Sequence, residues 1–263
     1  MSILGNGDGV ARLRLEQGLS LLSRRARAGA GACAMPLGAA AGLESLSERL
    51  LFLMELVLEK NEQINLTTIT EPVEFVELHL LDSLACVGLS GIETARRIAD
   101  VGSGAGFPGL PLALVYPEKE FVLTDSLRKR TEFAAAAARA LGLDNVTVRH
   151  ARAETVGRDP LARERFDLAL CRAVGKLPLI LEYCLPLVRA GGQFFAYKTV
   201  RAEGEIEDSL VAREVLGGGA DMEIFTYKDL LPRRGHAIYI FSKERTTPSA
   251  YPRKEGVPAR IPL

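Results

Sequence analysis

The stretch that decides the fold is Ile98-Ala-Asp-Val-Gly-Ser-Gly-Ala-Gly-Phe-Pro-Gly-Leu-Pro-Leu-Ala-Leu-Val-Tyr-Pro117. An apolar run closes on Asp100, and Gly102, Gly104, Gly106 and Gly109 follow before a proline-punctuated apolar segment. Glycines let such a turn bring backbone close to a ligand, and the N-terminus of a following helix offers N–H groups. A P-loop would end this turn with Gly-Lys-Ser/Thr, and no lysine occurs between Ile98 and Glu118, so that reading fails. Residues 104–109 do satisfy GxGxxG, with Asp125 near the distance of a ribose-binding carboxylate. Their setting argues against a dinucleotide. The first glycine after the strand is Gly102, and a carboxylate at Asp100 would repel a pyrophosphate but suit a ligand carrying positive charge.

Outward from this turn, strands alternate with helix-length segments. Strand 97–101 leads to a helix from Pro108 to near Pro117, strand 121–125 to a helix over 127–141, and strand 146–150 follows. Strand 166–171, a helix through Leu187 and strand 193–198 complete the series. This alternation predicts an α/β chain with a mostly parallel, doubly wound sheet. Segments 222–228 and 236–243 flank Leu-Leu-Pro-Arg-Arg-Gly as a hairpin, an antiparallel edge on that sheet. Upstream, Ser45-Leu-Ser-Glu48 reads as a capping box opening an amphipathic helix, and a second helix is expected over 72–89. Three parts follow: an N-terminal extension over 1–42 with a short helix at 13–27; an α/β domain over 43–245 whose helical preface is 43–92; and a basic, proline-rich tail over 246–263, expected to lie extended.

With 263 residues, 48% hydrophobic and 25% charged, the chain has enough apolar sequence for a large core. Lysine plus arginine equals aspartate plus glutamate at 33 each, so no global field announces a polyanionic partner and local clusters must carry that role. Cys33, Cys86, Cys171 and Cys184 form no CxxC pair and no metal spacing with the histidines, which favours a reduced, cytoplasmic chain without a metal site. No segment has the uninterrupted apolar length of a membrane span, and the N-terminus lacks the apolar core of a secretory signal.

S-adenosylmethionine has a sulfonium, an α-ammonium and no phosphate, and Asp-x-Gly-x-Gly-x-Gly over Asp100, Gly102, Gly104 and Gly106 is the usual nucleotide loop of class I methyltransferases. Asp125 would accept its ribose hydroxyls; Asp100 has the alternative of simply capping the next turn. Segments 65–84, 98–117, 121–133, 166–174 and the tail 246–263 together resemble the small-subunit ribosomal RNA methyltransferase G family, over roughly 43–263. That resemblance implies a class I S-adenosylmethionine-dependent fold and methyl transfer to guanosine N7 in 16S rRNA. It also implies cofactor contacts at Gly102, Phe107, Ala153, Glu154 and Arg172.

Guanine N7 carries a lone pair and no proton, so its methylation needs orientation and electrostatics rather than a general base. Leu170-Cys171-Arg172-Ala173 lacks the Asn-Pro-Pro-aromatic signature of amino methylation. It also lacks the proline that precedes the cysteine in 5-methylcytosine enzymes, so Cys171 reads as a buried strand residue. Arg172, at a strand's C-terminal end, is a candidate to steady the cofactor or the guanine, and Lys198 to donate to O6 or a phosphate; Thr199, where the family usually has glycine, puts that lysine's orientation in question. His79 and Asp82 share a helix face and are expected to brace the cofactor loop. RNA contact falls to Arg128-Lys129-Arg130, Arg149, Arg152, Arg233-Arg234 and the tail from Lys243. The expected partner is 16S rRNA or an assembling small subunit, bound by a monomer. An NAD-dependent oxidoreductase and a non-catalytic RNA-binding assembly protein are the competing classes.

Overall fold

The computed structural model describes residues 8–28, 40–232 and 235–263. Cys33 and the Arg233-Arg234 pair lie outside them. Seven strands form one sheet in the order β3-β2-β1-β4-β5-β7-β6. They are β1 (Arg97–Val101), β2 (Glu120–Asp125), β3 (Val146–His150), β4 (Phe166–Arg172), β5 (Val188–Thr199), β6 (Gly218–Thr226) and β7 (His236–Lys243). β1 to β5 pair in parallel, whereas β7 runs antiparallel to both β5 and β6. The expected hairpin does close the edge, but its second strand is inserted beside β5, which leaves β6 outermost and aligned with the parallel set.

Period-two side-chain alternation splits the core into two layers. Ile98, Leu168, Leu170, Phe195, Tyr197, Ile238 and Ile240 join the layer under the preface. Their neighbours Ala99, Val101, Ala169, Cys171, Phe194, Ala196, Tyr239 and Phe241 join the opposite one.

Four helices build the preface: α1 (Asp8–Ala28), α2 (Ala40–Asn61), α3 (Pro72–Phe75) and α4 (Ser90–Thr94). The short helix expected at 13–27 is present but longer, Asp8–Ala28, and packed into the core. α1 places Ala11, Leu15, Leu19, Leu22 and Ala26 on one stripe and buries them against α2 and the segment after α3. Arg14 Nε meets Glu77 at 2.7 Å, and Arg25 reaches Asp229 at 3.0 Å and donates to Ala85 O at 3.0 Å. α2 begins at Ala40, so Ser45 lies inside the helix and is no cap. The helix expected over 72–89 breaks up. Glu71 caps α3 by accepting from Val73 N and Glu74 N; the chain then widens into a π-helical turn at Val76–Leu81 and tightens into a 3-10 turn at Leu84–Cys86.

Beyond β1 come α5 (Gly109–Val115), α6 (Arg128–Ala140), α7 (Ala153–Arg158), α8 (Leu177–Cys184), α9 (Gly204–Asp208), α10 (Leu210–Val215) and α11 (Val257–Arg260). α7, α9, α10 and α11 are too short for periodicity to announce. The tail does not lie extended throughout: it turns at 248–251, where Tyr251 N donates to Pro248 O at 2.9 Å, and again at Gly256, where φ is 75°, into α11. No described helix is long and apolar enough to cross a membrane.

Candidate cofactor and substrate cavities

The turn from β1 to α5 needs glycine twice over. Gly102 and Gly106 have φ of 75° and 94°, and a Cβ would run into Val174 at the first and Leu110 at the second. Most of its N–H groups are already committed. Gly102 and Ser103 donate to Thr124 O, Gly106 and Phe107 to Ser103 O, and Gly104 to Asp125 Oδ2 at 2.9 Å. Gly109 donates to Asp100 Oδ2 at 2.8 Å. A dinucleotide's pyrophosphate takes its hydrogen bonds from this turn and the helix start behind it. With those donors engaged internally, the GxGxxG of 104–109 is a structural coincidence.

Asp125 is the clamp. Its Oδ2 holds Gly104 and its Oδ1 accepts from Leu127 N at 2.8 Å, which ties the turn to the end of β2 while the carboxylate faces a cavity of about 350 Å³. Gly102, Ala153 and Glu154 line the same cavity, with Arg130, Arg152 and Ala259. The turns after β1, β2 and β3 thus converge in the crevice where open α/β sheets bind ligands, at a volume suited to a small molecule.

Five of the cofactor candidates stand outside this lining: Asp100, Gly104, Gly106, Phe107 and Arg172. Asp100 is fully buried and caps α5, the alternative recognised in the sequence. Burial pushes its carboxyl up to about 7 against the pull of the Gly109 N–H and Arg172, and its Oδ1 has no partner among the described residues. Gly104 and Gly106 shape the turn. The Phe107 ring is stacked on His79 at 4.9 Å and set edge-on to Phe75 at 5.9 Å, inside the core. Glu154 lines the cavity but is not free to read an adenine edge with both oxygens, since its Oε1 accepts from Gly256 N at 2.9 Å.

A second cavity, of about 530 Å³, opens on the far side of Ala173, which lines both. Ala173 holds a φ of 58°, uncommon without glycine, at the point where β4 ends. Arg172 and Lys198 line this second cavity, not the first. The Arg172 guanidinium donates to Leu78 O at 2.8 Å, Asp82 Oδ2 at 3.0 Å and His79 Nδ1 at 3.1 Å, and lies 5.5 Å over the Phe107 ring. A guanidinium only donates, so His79 Nδ1 accepts and its Nε2–H faces Thr67 Oγ1 at 2.7 Å. Burial, then the Arg172 charge, lowers His79 to about 3, which keeps that ring neutral. Burial raises the Asp82 carboxyl, but the His236 hydrogen bond and Arg172 outweigh it and hold Asp82 below the usual range. Asp82 Oδ1 takes Tyr227 Oη and His236 Nδ1, each at 2.7 Å.

Thr199 leaves Lys198 aimed at the cavity wall. Its Nζ bonds Gly175 O at 3.0 Å and Glu205 Oε2 at 2.8 Å. Glu205, Tyr227 and His236 were missed by sequence reasoning. Glu205 stands on a five-residue helix, and the other two reach the site because β7 is inserted next to β5, neither of which leaves a local signal. Cys171 is buried in the sheet core, as expected.

Among solved structures, the chain resembles the S-adenosylmethionine-dependent methyltransferase SibL in its apo form, with a TM-score of 0.52 at 14% identity over 79% of this chain and 78% of that one. It also resembles a putative O-methyltransferase from Klebsiella pneumoniae, with a TM-score of 0.50 at 14% identity over 73% and 90%. These likenesses establish the methyltransferase fold. In sequence, the chain is 45% identical to the Ribosomal RNA small subunit methyltransferase G of Desulfitobacterium hafniense over 79% of its own length and 85% of that protein's. It is 40% identical to the protein of the same name from Alkaliphilus metalliredigens over 82% and 90%. The family model for rRNA small subunit methyltransferase G (GidB) matches residues 46–221, from the preface helix through the glycine turn and both cavities to the edge hairpin, and the chain belongs to that family.

Proposed function

We propose that this chain transfers the methyl group of S-adenosylmethionine to N7 of a guanosine in 16S ribosomal RNA. It would act as a cytoplasmic monomer on the RNA or on an assembling small subunit. The observation that carries this reading is the pair of cavities meeting at Ala173, one faced by Asp125 and the other by Arg172 and Lys198. When bound, the cofactor supplies an electrophilic methyl carbon on a sulfonium. The protein's work is placement. Asp125 keeps lone pairs for two ribose hydroxyls after holding Gly104 and Leu127, and the turn, with most of its N–H groups already used, makes no demand for a phosphate. Arg172 fixes the cavity boundary, pinned from the preface by Leu78, His79 and Asp82. Lys198 would donate to guanine O6, next to N7, by giving up one of its bonds to Glu205 or Gly175. No proton leaves N7, so orientation and field suffice.

RNA phosphates fall to Arg128, Lys129, Arg130 and Arg152 around the cofactor cavity and Arg201 at the second one. Two of the basic residues nominated from sequence do other work: Lys243 is buried, donating to Leu185 O and Leu216 O, and Arg149 pairs with Asp159 at 2.6 Å. The test is chemical. Ribosomal RNA from cells lacking this protein, methylated by it and treated with borohydride then aniline, should break at one guanosine. A methylated product resistant to cleavage would exclude N7. Tighter binding of NAD than of S-adenosylmethionine in a calorimeter would restore the oxidoreductase reading, and binding without transfer would leave an RNA-assembly protein.

A further inference from the structure

We propose that the C-terminal segment 251–263 is a working wall of the cofactor cavity and that S-adenosylmethionine and the docked tail hold one another in place. This rests on the reading of the cavity given above. The tail is fastened to the two helices, α7 and α8, that carry the cavity's Glu154 and Tyr183. Glu182 on α8 has a fully buried side chain, and Arg253 satisfies it four times over: backbone N at 2.8 Å, Nε at 2.9 and 3.1 Å, and Nη2 at 2.6 Å. A carboxylate buried this deeply is costly without its partner, so the latch selects the docked tail. Pro252 packs so tightly on α7 that a Cβ at Gly157 would meet its Cγ at 2.8 Å. Arg163 donates to Tyr251 O at 2.7 Å and Thr247 O at 2.6 Å, and Thr155 Oγ1 bonds Glu255.

What these fastenings present to the cavity is specific. Gly256 N donates to Glu154 Oε1, Tyr183 lines the same cavity as that carboxylate, and Ala259 faces the opening although most of the tail around it is exposed. Glu154 is 3% exposed, and the tail amide is what fixes its orientation at the cavity wall. An undocked tail would remove the Ala259 wall, release Glu154 and strand Glu182. Coupling between two binding events is reciprocal, so a ligand that needs the wall also stabilises it.

Three measurements on the full-length protein and its variants decide the matter. Calorimetric titration with S-adenosylmethionine compares wild type, a chain ending at residue 250, and Ala259→Trp, which narrows the opening from an exposed position. Both variants should raise Kd by about tenfold or more, and Ala259→Trp should keep the wild-type melting temperature in the absence of ligand. Trypsin cleavage after Lys254, which is exposed, should slow when S-adenosylmethionine is present, a response that a tail serving stability alone would not give. If the shortened chain fails to fold, Ala259→Trp and the proteolysis still decide. Wild-type affinity in Ala259→Trp, or cleavage at Lys254 indifferent to the ligand, overturns the inference alone. Failure of the wild-type chain to bind S-adenosylmethionine removes the cofactor reading and the inference with it.

Discussion

Arg172 on β4 and Asp82 in the preface lie 3.0 Å apart with side chains 13% and 5% exposed, so one ion pair joins the end of the sheet to the helices upstream of it. The preface is part of the site, not a scaffold beside it. Removing one partner strands a buried charge. Asp82→Ala should cost about 3–5 kcal/mol of unfolding free energy, read from the urea midpoint. Adding Arg172→Met should return part of that loss while methyl transfer stays abolished. A single variant within about 1 kcal/mol of wild type would show that the pair is not buried in solution.

Asp125→Ala takes the acceptor from Gly104 N and Leu127 N and from the ribose together. Cofactor binding should weaken by about 1–3 kcal/mol, measured by calorimetry. An unchanged Kd would place the ribose elsewhere.

Asp100 gives a pH signature with a definite sign. Its ordinary pKa of 3.8 is raised to about 7 by burial, so between those values the folded chain keeps a proton that the unfolded chain has released. The stability it contributes is present below about pH 4 and is lost as pH rises towards 7, by an amount on the order of 3–4 kcal/mol. Asp100→Asn keeps an acceptor for Gly109 N and cannot ionise. Its stability relative to wild type should therefore grow from pH 4 to pH 7 in paired denaturant titrations. His79, held at about 3, loses stability in the other direction as pH falls below 6.5, which is why the comparison must be paired. A constant difference across the range would mean that Asp100 titrates normally.

Deleting residues 1–28 should destabilise the chain. Leu15, Leu19 and Leu22 are buried, each worth about 1.5–3 kcal/mol, and their loss uncovers Leu81. Thermal unfolding of the truncated protein should begin well below that of the full chain; equal melting temperatures would make α1 an ornament.

The sheet was legible because its evidence is local. Asp100, the glycines and Asp125 sit within one turn and one strand, and apolar runs broken by helix-length segments leave few topologies open. Asp125 was legible as a ribose acceptor for the same reason, though not its hold on Gly104 and Leu127, and so was the capping alternative for Asp100. The Arg172 cluster was only half visible: His79 and Asp82 share a face by spacing, but Tyr227 and His236 arrive through a strand inserted out of chain order. α1 was misjudged because its arginines and glycine masked a stripe whose partner, Leu81, lies more than fifty residues away. Lys243 and Arg253 counted as surface charge in sequence, yet one caps carbonyls in the interior and the other neutralises Glu182, pairings that no local pattern announces.

The insertion of β7 between β5 and β6 also orders events in time. As the chain leaves the ribosome, β5 emerges with one edge unpaired, and β6, though next in line, has no place to dock until residues 236–243 follow it out. For the duration of some forty residues of synthesis the nascent sheet therefore carries an open, apolar edge formed by Phe194, Phe195 and Ala196. His236 and Tyr227 reach Asp82 in that same closing step, so the hydrogen bonds that steady Arg172 wait for β7, and a nascent chain halted before β7 would hold the cofactor turn without a finished site behind it.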